Sequence, residues 1–151
     1  MKKTNNKGFS LVELIIVIAI MAILAGAIAP ALIRYIDRSR KSNDINACKS
    51  IKTAFETALT NEDLYSELVN GVTYTITADS TTISPTIASG SGNMEIFSNI
   101  SGQKAPKLKY KKQGANAYKV EISASGEVKV SITDGSNDWA ICPDVCQDYQ
   151  K

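Results

Sequence analysis

The 151-residue sequence contains no histidine. It therefore lacks the commonest general base near neutral pH and the commonest nitrogen ligand for a transition metal. It has no glycine-rich phosphate loop and no paired-carboxylate signature. Ser101 and Lys104 stand at a serine–lysine spacing, a match that chance often supplies, so neither enzymatic activity nor a cofactor is expected. Cysteine is scarce, with only Cys48, Cys142 and Cys146. Two thiols four residues apart without a second pair rarely make a zinc site. Net charge is also small: the formal value is +2, and without Lys2, Lys3 and Lys7, which precede Gly8, 14 Lys+Arg face 15 Asp+Glu. That balance does not announce a nucleic-acid binder.

What the sequence does have is one long apolar run. Residues 1–8, MKKTNNKG, are polar and basic, and the 25 residues from Phe9 to Ile33 carry a single charge, Glu13. As a helix this run would extend about 38 Å, enough to cross a hydrocarbon core of about 30 Å. The preceding lysines favour a cytoplasmic N-terminus with the bulk of the chain outside. An ordinary secretory signal would have a shorter apolar region followed by a small-residue site. Ala25-Gly26-Ala27 and Ala27-Ile28-Ala29 could pass as such sites, but the length of the run and its carboxylate argue otherwise. A charge at membrane depth is costly and marks a functional candidate.

Lys7-Gly8-Phe9-Ser10-Leu11-Val12-Glu13-Leu14 resembles the prepilin peptidase site of type IV pilins and pseudopilins. The likeness covers residues 1 to about 60. It implies cutting between Gly8 and Phe9, N-methylation of Phe9, and Glu13 as the family's fifth mature residue. It also implies a helical homopolymer as partner, with prepilin peptidase, an assembly platform and its ATPase machinery, and membrane lipid before assembly. Adhesion and twitching motility are among the roles of such filaments. A type II secretion or competence pseudopilin is the alternative within the family, and a monomeric membrane-anchored adhesin is the rival outside it. Physically, a new amine on Phe9 and a carboxylate four residues later share one helical face. In a filament the carboxylate can pair with a neighbour's amine and set the axial register, because an unpaired buried charge is costly. Pro30 lacks an amide hydrogen and crowds the carbonyl of Gly26, so a kink or local unwinding of residues 22–30 is expected there. The small residues around Gly26 permit close helix packing.

The expected organisation is a leader over 1–8, a membrane-spanning and polymerising helix over 9–33, and an amphipathic helix with a globular β-sheet head over 34–151. The fold class is α+β, a long helix packed on an antiparallel sheet. Arg34, Asp37, Arg38, Arg40, Lys41 and Asp44 mark the exit from lipid. Ile45, Cys48, Ile51, Phe55, Ala58 and Leu59 then recur at helical spacing as a stripe facing the head. Asn61-Glu62-Asp63 reads as a helix restart and Asn70-Gly71 as a stop. Alternating apolar residues predict strands around 72–76, 118–122 and 128–132, the last two joined through Ser123-Ala124-Ser125-Gly126. Residues 81–87, 94–98 and 107–112 are weaker strand candidates, and Ser89 to Asn93 reads as a loop.

Three features of the head invite chemistry. Lys104, Lys107, Lys109, Lys111, Lys112 and Lys119, interleaved with Tyr110 and Tyr118, could contact phosphates, but a solvated edge is the preferred reading, and nucleic acid is not an expected partner. Asp134 and Asp138 are a weak calcium candidate, lacking the spacing and final glutamate of a calcium loop; a plain turn is preferred and no metal is expected. Cys142 and Cys146 suit a local disulfide outside the cytoplasm. A bridge from Cys48 to either is the rival, and a free Cys48 in the core is preferred.

Overall fold

The structure is a computed structural model that describes residues 8–88, 92–110 and 114–150. The chain divides into two compact units, one ending at Asp37 and the other beginning at Arg38. The first helix, α1 (Leu11–Ala58), is common to both.

In the first unit every described side chain up to Ile36 is exposed. The most apolar 18-residue window of α1 is 0% buried. By length and composition this segment can cross a membrane. Gly26 and Pro30 do not interrupt the helix in this state. A proline removes one hydrogen bond, and the turns on either side retain theirs.

The second unit is an α+β layer. Its part of α1 buries Asp44, Ala47, Cys48, Ile51, Ala54, Phe55 and Ala58. Those positions step by three, one, three, three, one and three, the signature of one helical face turned to a core. Ile45 and Leu59, also assigned to that face, are only partly buried at its rim. Asn61 then caps α2 (Glu62–Leu68) by accepting the Asp63 N–H at 3.1 Å. Gly71 ends this region at φ +73°, a conformation that glycine adopts without steric cost.

The sheet comprises β1 (Thr73–Thr77), β2 (Ile83–Ser84), β3 (Ala117–Ile122), β4 (Val128–Thr133) and β5 (Asp138–Cys142). Its order is β2-β1-β3-β4-β5 and every neighbouring pair is antiparallel. β3 and β4 form the expected antiparallel hairpin, paired from Ile122 opposite Val128 through to Ala117 opposite Thr133. Period-two alternation turns Tyr74, Ile76, Tyr118, Val120, Ile122, Val128, Val130 and Ile132 into the core, with Trp139 and Ile141 of β5 beside them. Phe55 of α1 meets Tyr74 with ring centroids 6.0 Å apart. The buried tyrosines keep their hydroxyls satisfied: Tyr118 donates to the Pro106 carbonyl at 2.9 Å and Tyr74 to that of Glu67 at 3.3 Å.

Three strand expectations need correction. Residues 94–98 lie in a helix, α3 (Gly92–Ser98), which buries Ile96 and Phe97. Of 81–87 only Ile83 and Ser84 pair. Residues 107–110 form no strand, because the amides of Lys109 and Tyr110 bond to a side chain instead. Lys111 and Lys112 lie outside the described residues, as do residues 1–7 and 89–91.

Candidate functional site

The first candidate site is the beginning of α1. Gly8 is exposed, with open space where a Cβ would stand. Phe9 is 82% exposed. Ser10 precedes the helix, and its backbone N–H donates to Glu13 Oε2 at 2.8 Å. The Ser10 hydroxyl in turn accepts the Val12 N–H at 3.4 Å. Serine before the helix and glutamate three residues on form a capping box, in which side chains take up amides that have no partner inside the helix. The sequence reading placed Glu13 on a face with the Phe9 amine and missed this local partner, although the Ser-x-x-Glu pattern signals it. Glu13 is the one charge in a stretch whose large apolar residues, from Phe9 to Ile33, are all exposed. This surface is a helix stripped of core contacts, built for a solvent other than water or for other helices.

The second candidate region lies at the base of the head. Asp44, read from the sequence as one of the charges marking the exit from lipid, is 0% exposed. Its carboxylate accepts the backbone N–H groups of Lys109 and Tyr110, each at 2.8 Å. Burial raises its pKa above the ordinary value, against the lowering effect of the two amides and the Lys109 charge. One turn earlier, Lys41 donates to the Asp148 carbonyl at 2.8 Å and lies 4.8 Å from the centre of the Tyr110 ring. Tyr149, in the terminal helix α4 (Gln147–Gln150), packs edge-on against Tyr110 at 5.5 Å and donates its hydroxyl to the Tyr110 carbonyl at 3.3 Å. Two α1 side chains thus hold two distant segments to the helix. No sequence window contains this arrangement, since 65 residues separate Asp44 from Lys109.

The remaining candidates are dispersed. Lys104 pairs with Asp79 at 2.6 Å rather than with Ser101. Lys119 sits between Asp138 at 2.6 Å and Glu121 at 2.9 Å. Among the described residues these pairings engage Lys104 and Lys119, the two ends of the basic stretch. Asp134 accepts the Ser136 and Asn137 amides at 2.8 and 2.7 Å, which hold its carboxyl below the ordinary carboxylate range. This is the turn chemistry of an Asx motif. Among the described residues no cluster of three or more acidic, histidine or cysteine side chains is placed to hold a metal. Cys48, Cys142 and Cys146 are all free thiols. Cys48 is completely buried and Cys142 nearly so, and burial pushes both thiols up, with the Lys49 and Lys52 charges acting in the opposite direction on Cys142.

Against this geometry, residues 3–29 match the prokaryotic N-terminal methylation motif. Over 137 residues the chain is 30% identical to the prepilin peptidase-dependent protein A of Clostridium perfringens, covering 87% of this chain and 88% of that protein. Over 68 residues it is 37% identical to the type IV major pilin protein PilA of Myxococcus xanthus, covering 45% of this chain and 31% of the relative. Over 57 residues it is 44% identical to a type IV major fimbrial protein FimA of Dichelobacter nodosus, covering 38% and 36% respectively. The chain therefore spans about a third of the length of the last two relatives. No solved structure matches.

Proposed function

We propose, since the chain belongs to the type IV pilin family, that it is the structural subunit of a type IV pilus-like extracellular filament assembled through α1. The observation that carries this reading is the coincidence, in one segment, of an open Gly8-Phe9 junction, a capped helix start with a lone carboxylate, and an unburied apolar helix behind it. The precursor sits in the membrane by residues 9–33 with its head, 34–151, outside. Prepilin peptidase removes 1–8, Phe9 is N-methylated, and the assembly platform and its ATPase draw the subunit into the polymer. There Glu13 exchanges its own Ser10 amide for the Phe9 amine of a neighbour and so sets the register. Gly26 and Pro30 are where the helix gives way on assembly, since proline already lacks one backbone bond. Outside the cell Cys142 and Cys146 close a local loop, giving two protons and two electrons to a disulfide-exchange partner.

The test is processing. Mature protein is expected to have lost residues 1–8 and gained one methyl group on Phe9, by intact mass. Gly8→Leu is expected to leave the precursor uncut, because glycine keeps the scissile backbone open to the protease. Normal cutting of that variant would overturn the reading.

A further inference from the structure

α3 and the connections beside it enclose a groove of about 540 Å³ lined by Thr81, Asn93, Met94, Phe97, Ser98 and Gln103. That volume falls within the range of small-molecule sites, about 300–1,000 Å³. Thr81 comes from the link between β1 and β2, and Gln103 from the turn that follows α3. Backbone bonds tie these two connections together: the Asp79 N–H donates to the Ala105 carbonyl at 3.1 Å, and the Ala105 N–H to that of Ser80 at 2.8 Å. Lys104 adds its pair with Asp79. Asp79 and Gln103 both hold positive φ, +61° and +54°, a conformation that non-glycine residues keep where the surrounding structure over-determines it. The wall made by α3 is constrained too. A Cβ at Gly92 would stand 2.5 Å from an Ile87 side-chain carbon, and Glu95 accepts the Asn61 amide at 3.1 Å. The groove is therefore formed before anything enters it, and binding would lose little to ordering.

The lining sets the chemistry of the occupant. None of these six side chains is charged, so a charged ligand would give up hydration with no partner in exchange. Met94 is 77% exposed, and a thioether beside the Phe97 ring suits an aromatic body. The polar groups favour a donor. Ser98 gives its own hydroxyl hydrogen to the Glu95 carbonyl at 2.7 Å and keeps its oxygen as an acceptor. Asn93 is partly exposed, while its amide oxygen is turned inward, buried and without a hydrogen-bond partner. A buried acceptor in that state is uncommon. Rotation of the amide toward the groove lets a ligand N–H or O–H satisfy it. From these observations we infer that the groove along α3 binds a small uncharged aromatic molecule that carries an N–H or O–H donor. The site lies within the unit that begins at Arg38 and needs neither cutting at Gly8 nor assembly.

The experiment uses the full chain in phosphatidylcholine nanodiscs, with isotopically labelled methionine methyl groups read by nuclear magnetic resonance. The chain has three methionines, Met1, Met21 and Met94, and of these Met94 lines the groove. Indole is the probe, an uncharged aromatic ring with one N–H. The expected result is a saturable ring-current shift of the Met94 methyl, while Met21 shows only the non-saturating drift of indole dissolved in lipid. N-methylindole keeps the ring and lacks the donor. It should bind about tenfold more weakly, the cost of leaving a buried acceptor unmet. Indoleacetate, which adds a carboxylate, should also bind more weakly than indole. Asn93→Leu should abolish the preference for indole over N-methylindole. Absence of a saturable Met94 shift would overturn the site, as would parallel saturation at Met21. Equal binding of indole and N-methylindole by the parent chain would overturn the need for a donor, and equal binding of indoleacetate the need for an uncharged ligand. These comparisons require no variant, so they decide the proposal even where Asn93→Leu does not fold. A preference for indole that survives in folded Asn93→Leu would overturn the role of Asn93 as acceptor.

Discussion

Between Leu11 and Ile36 every large apolar side chain of α1 is exposed, whereas between Asp44 and Ala58 the same helix completely buries Cys48, Ile51, Ala54, Phe55 and Ala58. Each region also contains a carboxylate, and the two are used differently. Glu13 is exposed and accepts one amide from the start of its own helix. Asp44 is sealed and accepts two amides from a segment 65 and 66 positions away. Continuous helical structure therefore says little about what a helix is for. In one region the apolar surface is an unfilled demand for lipid or for other helices, and in the other it has already been met by a sheet. The first region is available for assembly, and the second supplies the stability of the head.

Removing one region is the bluntest way to break this comparison. A fragment beginning at Arg34 keeps the buried stripe and loses the exposed one. It is expected to be soluble, folded and monomeric, with no filaments at any concentration, as read by circular dichroism and sedimentation. Regular filaments of the fragment would show that assembly contacts reside in the head.

A single side chain sharpens the same division. Glu13→Ala removes a charge from the membrane segment, so the cut subunit should accumulate in the membrane at least as well as before. It also leaves a neighbour's Phe9 amine unpaired in the filament, a loss of about 3–5 kcal/mol if that pair is fully buried. Sheared filament yield is expected to fall by a factor of 100 or more, since about 1.4 kcal/mol is a factor of ten in an equilibrium constant. Wild-type yield would remove Glu13 from the assembly mechanism.

The matching change in the head acts on folding alone. Asp44→Ala strands two backbone amides in the core, at about 1–3 kcal/mol each. The Arg34 fragment should lose about 2–6 kcal/mol of stability in denaturant titration. The same substitution in the full chain should leave cutting at Gly8 normal. Because burial raises the Asp44 pKa above 3.8 in the folded state, its proton-linked contribution has a definite sign. It is fully present below pH 3.8 and is lost as pH rises through the folded value. The stability difference between the parent and Asp44→Asn should follow that trend. A difference that instead grew with rising pH would show that the two amides outweigh burial.

Much of this molecule was readable before its structure. The Gly8-Phe9-Glu13 pattern, the stripe at Cys48, Ile51, Phe55 and Ala58, and the hairpin through Gly126 are local signals whose spacing matches the period of the element they form. The errors came where a contact distant in sequence decides. Asp44 looks like the neighbouring surface charges until Lys109 and Tyr110 are brought to it. The segment containing Met94, Ile96 and Phe97 is too short for periodicity to separate helix from strand, and α3 is held by contacts such as the Asn61 amide on Glu95 at 3.1 Å. β5 is not legible in the sequence because the turn residues Asp134 to Asp138 run directly into its five residues. Its strand is fixed by Trp139 pairing with Ile132. The Glu13 cap was local and legible, but it was hidden behind a longer-range role for the same carboxylate.

The smallest effect is expected from a third carboxylate, which differs from Asp44 in exposure and in sign. Asp138 bonds Lys119 at 2.6 Å, but its side chain is 40% exposed and that of Lys119 28%. The lysine hydrogen bond lowers the Asp138 pKa below 3.8, and the same contact raises the Lys119 pKa above its ordinary value. A carboxylate with a lowered folded pKa contributes stability above its unfolded pKa and loses it as pH falls through the folded value. The Asp138 contribution therefore disappears in acid, where the Asp44 contribution is fully present. Solvent screening keeps an exposed pair to about 0.2–1 kcal/mol, and Glu121 at 2.9 Å remains to hold Lys119 when Asp138 is gone. Asp138→Asn should thus cost the Arg34 fragment less than about 1 kcal/mol at neutral pH and nothing measurable in strong acid. Salt near 1 M should reduce the difference, because the Debye length there falls to about 3 Å, comparable to the separation of the pair. A loss as large as that of Asp44→Ala, or one insensitive to salt, would mean that the Asp138–Lys119 pair is buried in solution and not exposed on the outer face of the sheet.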